Sequence, residues 1–261
     1  MDSAEQYYEA KAALEWQIEL GADEAIGDEP LDRYELVTQA PKPKVAKPKP
    51  SAAPIPLVEV DAVAVAKAAA TGATDLAELK AAMAAFELCE LKRGARNMVF
   101  ADGNPQARVM IIGEAPGRDE DREGKPFVGR AGVLLDRMLV AIGLGREGPD
   151  PASSVYITNI LPWRPPQNRD PSPEEIAMLH PFVMRHIELV APDVIVLMGN
   201  SSCLSLLGRK GITRMRGNWE KVLGRAALPM LHPAYLLRSP HAKREAWADL
   251  LNLKAKLEVK I

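Results

Sequence analysis

Ala107 to Gly132, ARVMIIGEAPGRDEDREGKPFVGRAG, is the stretch from which the fold is read. It opens with Val109-Met110-Ile111-Ile112, a short apolar run bounded by a turn signal, which predicts a buried strand. Gly113-Glu114-Ala115-Pro116-Gly117 follows, and two glycines with a proline break any regular element and set a tight loop. The acids Asp119, Glu120, Asp121 and Glu123 come next, and then Gly124-Lys125-Pro126-Phe127-Val128-Gly129 holds an aromatic side chain between turn residues. Strand, abrupt loop and helix is how open α/β sheets place ligands at the carboxyl ends of their strands. A loop with a carboxylate, free backbone N–H groups and a nearby aromatic face suits a planar polar ring. The plainer reading of Phe127 is a side chain that plugs the core.

Working outward, Val155 to Ile160 is a second, β-branched strand that runs into the rigid polar loop Leu161 to Pro171. Ser172 with Glu175 three residues on is a capping box, Pro173 suits the first helical position, and the helix should reach about Val190. Asp193 to Gly199 is a third buried strand, with a helix starting at Asn200-Ser201, and Pro229 to Pro233 reads as a last strand ending in a His-Pro turn. Val133 to Ile142 and Ala242 to Leu257 carry helical patterns. Strands alternate with helices, which predicts an α/β fold with a parallel sheet in three α/β/α layers. Glu114, Asn159 and His232 each follow or end a strand and converge on one sheet edge if the strands are parallel. Taken singly, they read as a surface carboxylate, a strand-end turn residue and a cap beside a proline.

Composition bounds the rest. The 261 residues are 47% hydrophobic, enough for one large core with extras, and no apolar run is long enough to span a membrane. The polar, acidic start MDSAEQYYEA argues against a secretory signal. Cys89 and Cys203 form no disulfide framework, which points to a reducing cytoplasm. The net charge of −2 hides a split: residues 1–90 carry 8 Lys+Arg against 17 Asp+Glu, and residues 91–261 carry 25 against 18. The basic C-terminal part permits a polyanionic partner, and the loop from Lys210 to Asn218, with Arg214 and Arg216, concentrates that charge. Residues 1–37 read as an acidic extension whose first helix, over 4–20, docks loosely or meets a partner. Residues 38–57 read as a Pro/Lys/Ala linker, and residues 58–261 as the folded domain, opened by an alanine-rich helix from Val58 and another capped at Thr74 or Asp75 that runs to about Leu88.

Three stretches, GEAPGRDEDREGKPFVGRAG, VYITNILPWRPPQNRDPSPEE and LHPAYLLR, together resemble the family 4 uracil-DNA glycosylases over about residues 84–257. The resemblance implies a four-stranded parallel sheet between helices and hydrolytic release of uracil from DNA, with the nucleotide flipped out of the helix. It implies that Phe127 stacks on the uracil ring, that Asn159 reads the uracil edge and that His232 donates to O2, where charge develops. It lines the pocket with the backbone of Glu114, Ala115, Pro116 and Gly117, and lets Glu114 stabilise the sugar cation or place the water. Ala115 stands where related glycosylases can carry a water-activating Asp, which implies a more dissociative route. Leu236 or Leu237 would wedge into the gap left by the base, with core packing as the plainer role of each. Arg214, Arg216 and Arg238 would meet the DNA.

The same resemblance carries a departure. Members typically hold a [4Fe–4S] cluster on four cysteines, but here Cys89 stands alone of the four, with Phe86, Trp163 and Leu179 at the other positions. One thiolate cannot hold such a cluster, so no cofactor is expected, and a hydrophobic plug takes its place. The loop RPPQNRDPSPEE lacks the histidine through which a related branch traps DNA covalently, so turnover is expected. A monomer in the cytoplasm acting on uracil-containing DNA follows, with a repair or replication protein as a candidate partner of the N-terminal extension. The competing readings are a glycosylase for hypoxanthine or xanthine, and a non-catalytic DNA-binding module. A doubly wound nucleotide-binding enzyme is disfavoured, because no G-x-G-x-x-G or phosphate-loop lysine pattern follows a strand.

Overall fold

The computed structural model describes residues 3–19 and 61–258. The chain divides into two units, Met1–Val58 and Glu59–Ile261. In the first, helix α1 (Ser3–Glu19) carries the exposed side chains Tyr7, Tyr8 and Leu14. The acidic turn region after it and the Pro/Lys/Ala linker lie outside the described residues.

The second unit opens with α2 (Ala62–Gly72) and α3 (Leu76–Ala85), capped by the carboxylates of Asp61 and Asp75. The helix expected to reach Leu88 stops at Ala85, because Phe86 turns extended and drives its ring into the core at 4% exposure. A short turn of helix, α4 (Leu91–Gly94), leads to the edge strand β1 (Ala101–Gly103) and then to β2 (Val109–Gly113). After β2 come α5 (Arg118–Glu123), α6 (Arg130–Val140) and β3 (Val155–Asn159). Helix α7 (Pro173–Val190) starts with the Ser172–Glu175 capping box and Pro173 at its first position. Strand β4 (Val194–Met198) and helix α8 (Asn200–Leu207) follow. The expected basic loop folds into α9 (Ile212–Met215) and leads to the hairpin of β5 (Glu220–Val222) and β6 (Arg225–Met230). Helices α10 (Pro233–Arg238) and α11 (Lys243–Glu258) close the unit.

The sheet has six strands in the order β1-β3-β2-β4-β6-β5. Its inner four, β3-β2-β4-β6, are parallel, as expected. The two outer strands are antiparallel additions of three residues each, too short and too polar to leave a periodic signal. Side chains alternate between two cores. Met110, Ile112, Tyr156, Ile195 and Leu197 face the layer that holds Phe86, Leu179 and Phe182. Val109, Ile111, Val155, Ile157, Val194 and Val196 face Leu135 and Leu139 of α6 and Leu250 and Leu253 of α11. The parallel strands are buried on both faces, β6 from Ala227 onward, so their apolar runs are nearly continuous, and their carboxyl ends emerge together at one edge.

Candidate active site

Register sets the site. Gly113 at the end of β2 lies level with Asn159 at the end of β3, and Met198 of β4 lies level with Met230 of β6. The residues just beyond these ends therefore share one edge: Glu114, Asn159, Gly199 and His232.

A cavity of about 290 Å³ there is lined by Ala115, Gly117, Phe127, Asn159, His232 and Arg238. A second, more polar hollow of about 500 Å³ adjoins it, sharing Ala115, Asn168, His232, Ala234 and Arg238, and adds Glu114, Ser201 and Lys210. Phe127 and His232 approach as offset rings, 5.4 Å between centroids and 27° apart in plane. Gly113 lets the Phe127 ring and the Asn159 carboxamide lie against the end of β2, since a Cβ there would lie 2.3 Å from the Asn159 Oδ1 and 2.6 Å from the Phe127 ring. Asn159 is buried, and no hydrogen bond from another described residue engages its carboxamide.

His232 is both a cap and a donor. The Ala234 N–H donates to its Nδ1 at 3.1 Å, so the neutral ring carries its proton on Nε2. Burial, helped by the charge of Arg238, pulls its pKa down to about 4, so the ring is neutral near pH 7. Glu114 is fixed by the Ser201 hydroxyl, which donates to Oε2 at 2.6 Å. Burial raises the pKa of Glu114, the Ser201 bond opposes that shift, and Asp170 and Lys210 act more weakly in opposite directions.

The loop that carries Phe127 is tied by Glu120, at the third position of α5. One oxygen of Glu120 accepts from the Val128 and Gly129 N–H groups at 3.0 and 2.8 Å, and the other accepts from the Gly117 N–H at 3.1 Å. A single carboxylate thus joins the Gly113–Gly117 loop to the loop of Phe127. Phe127 itself sits in the left-handed region, φ 53°, which costs about 1–2 kcal/mol for a residue with a Cβ.

The other expected contacts divide. Leu236 is 1% exposed and packs in the core, so it cannot act as a wedge, whereas Leu237 is 37% exposed beside the loop of Phe127 and Val128. The alternation follows from α10, which turns one leucine inward and the next outward. Arg216, expected at DNA, is instead bound to both carboxylate oxygens of the buried Asp249 and to the Glu245 carbonyl on α11. Arg238 lines the cavity, and Arg214 lies on α9 with no side-chain ion pair among the described residues.

Comparison with known proteins identifies the family. Residues 100–251 match the model of the uracil DNA glycosylase superfamily. The chain is 44% identical to the type-4 uracil-DNA glycosylase of Thermotoga maritima over 155 residues, 58% of this chain and 77% of that protein. The chain belongs to the uracil-DNA glycosylase superfamily, in its type-4 branch. It is also 40% identical to the type-4 glycosylase of Archaeoglobus fulgidus, over 62% of this chain and 82% of that one. For that of Sulfurisphaera tokodaii the identity is 37%, over 69% of this chain and 83% of the relative.

Against that family, the would-be cluster region of this glycosylase has an unsuited donor set. Cys89, Phe86, Trp163 and Leu179 are all at most 4% exposed and belong to one apolar cluster. The Phe86 and Phe182 rings meet edge to face at 5.5 Å. Burial raises the pKa of the Cys89 thiol, which disfavours the thiolate that iron needs. Among the described residues no three His, Cys, Asp or Glu side chains gather as metal ligands.

Proposed function

We propose that this chain hydrolyses the N-glycosidic bond of uracil flipped out of DNA, leaving an abasic site. The observation that carries the reading is the meeting of Phe127, Asn159 and His232 around one cavity of about 290 Å³ at the carboxyl ends of the parallel strands. An aromatic face, an unengaged carboxamide and a preset imidazole donor match the face, edge and O2 of uracil.

In this reading Phe127 stacks on the ring. Asn159 donates to O4 and accepts from N3–H, a pattern that cytosine reverses. As the C1′–N1 bond breaks, its electron pair moves onto the base, and the Nε2–H of His232 meets the charge at O2. A neutral ring suits that role, because it stabilises the anion without being consumed as an acid. Such a preorganised donor is worth roughly 3–4 kcal/mol. The Glu114 carboxylate, held by Ser201, faces the sugar cation or aligns the water that adds to C1′. Ala115 supplies no second carboxylate, which favours a dissociative path. Leu237, the exposed member of the Leu236–Leu237 pair, is the wedge, and Arg238 and Lys210 flank the DNA side.

The same reading has no [4Fe–4S] cluster. The apolar contacts among Phe86, Trp163, Leu179 and Phe182 take over the clamp between the N-terminal helices and the loop after β3. It also makes the enzyme a monomer of the cytoplasm, with residues 1–57 available to a repair or replication protein. The two buried free cysteines are consistent with a reducing compartment.

Cleavage of oligonucleotides carrying uracil, hypoxanthine or xanthine tests the reading, with wild type, Asn159→Ala and His232→Ala side by side. Wild type should act on uracil, and each variant should lose about 100-fold or more. A wild type inactive on uracil ends the enzyme reading, and three equal rates end the site assignment.

A further inference from the structure

We infer that Arg146 is a positioning residue for base excision: by gripping the carbonyls of Pro126 and Phe127 it holds the Phe127 ring in place as the wall of the base cavity. This rests on the reading above, in which that ring stacks on the base.

Arg146 lies in the connection between α6 and β3, away from the cavity, and its side chain is 14% exposed. Every arm of its guanidinium is engaged. Nε donates to Asp136 Oδ1 on α6 at 2.8 Å, and Nη1 donates to Asp102 Oδ2 on β1 at 2.9 Å. Nη1 also donates to the Pro126 carbonyl at 2.7 Å, and Nη2 donates to the Phe127 carbonyl at 2.5 Å. Two carboxylates from two elements thus aim one planar fork at two successive carbonyls. A lysine ammonium cannot reproduce that geometry.

What the fork holds is the peptide that follows Phe127. Its carbonyl is bound by Arg146, and its N–H, from Val128, is bound by Glu120. The preceding peptide is tied as well, through the Pro126 carbonyl on Nη1, so both planes that flank Phe127 are held and its φ of 53° cannot relax to an extended value. Gly132 closes the third side: a Cβ there would stand 1.7 Å from the Phe127 oxygen. Without Arg146 the carbonyl loses the partner that opposes its strain, and the ring loses its fixed approach to His232. An error of about 1 Å in such an approach can lower a rate by about 100-fold.

Single-turnover excision of uracil tests the inference in wild type, Arg146→Met, Arg146→Lys, Phe127→Ala and the double variant Phe127→Ala/Arg146→Met, each with its thermal midpoint. Arg146→Met should slow excision by about 10- to 100-fold at saturating DNA, and Arg146→Lys should recover only part of that loss. In the Phe127→Ala background the same substitution should cost less than about twofold, because the group it positions is gone. Arg108→Met, which breaks a buttress to Asp193 outside the site, should lower the midpoint without this rate loss. A wild-type rate in Arg146→Met, or an equal fold-loss in both backgrounds, overturns the role of Arg146. A full rate in Phe127→Ala instead strikes the stacking reading on which it stands.

Discussion

At the scale of single residues, protonation states carry the chemistry. His232 has its pKa lowered to about 4 by burial, so it is neutral when folded at pH 7 and must be charged as acid unfolds the chain. For a base with a lowered folded pKa, the unfolded chain binds the proton first. Its contribution to stability is therefore complete above about pH 6.5 and is lost as pH falls from there through about 4, up to about 3 kcal/mol in all. Thermal midpoints measured from pH 7 to 4 should fall less steeply in His232→Asn than in wild type. Ser201 holds Glu114 by a bond that lowers the carboxyl's pKa against burial. Ser201→Ala should therefore move the acid limb of the excision profile to higher pH while leaving the alkaline limb in place. An unmoved limb would remove Glu114 as the titrating group.

Of these residues, Glu114, Phe127, Asn159 and His232 were legible in the sequence, because each sits one or two positions from a strand end or between turn residues. Ser201 and Arg146 were not. Ser201 lies 87 positions from Glu114, and Arg146 lies 44 from Asp102, so no window of sequence contains both partners. Arg216 looked like a free surface charge for the same reason: its partner Asp249 stands 33 residues further along. A buried carboxylate such as Asp249, in an otherwise amphipathic helix, is the signal that could have exposed that pairing.

At the scale of elements, the site depends on how closely a loop can approach a helix. Helix α6 starts beneath Phe127, and Gly132 is the residue that lets it do so. Alanine is the better helix former by about 1 kcal/mol, yet Gly132→Ala should lower stability by about 2 kcal/mol, because a backbone oxygen cannot yield as a side chain can. Urea unfolding of the variant measures this, and an unchanged or raised midpoint would contradict the packing. On the opposite face of the sheet, Phe86, Trp163, Leu179 and Phe182 pack in one buried cluster. Trp163→Ala should cost about 3–5 kcal/mol, whereas a residue on an idle surface would cost almost nothing.

For the whole molecule, two consequences follow from the distribution of donors and charge. If the apolar plug has replaced the cluster, purified protein should contain no stoichiometric iron and no absorbance near 400 nm. Its thermal midpoint should be unchanged by a strong chelator. Iron at about four atoms per chain in an anaerobic preparation would refute the proposal. Neutralisation of DNA phosphates by the positive charge of residues 91–261 predicts that binding weakens as salt rises. Removing a cation that neutralises one phosphate should flatten the log–log slope by about one, and Lys210→Ala is the direct probe of the outer hollow.

The sequence by itself determined the order of the four inner strands and of the longer helices, the parallel pairing of that inner sheet, and the candidates at the strand ends. These depend on local rules: a run of β-branched residues, a glycine–proline break, a capping box. At the four positions that the family resemblance marks for a cluster, the sequence has Cys89 and three apolar residues, Phe86, Trp163 and Leu179. The tertiary structure alone decided which leucine is exposed, which arginine is paired, and how Phe127 is held in a strained conformation. Those outcomes depend on distances between groups far apart in the chain, and only folding brings such groups within a few ångströms of one another.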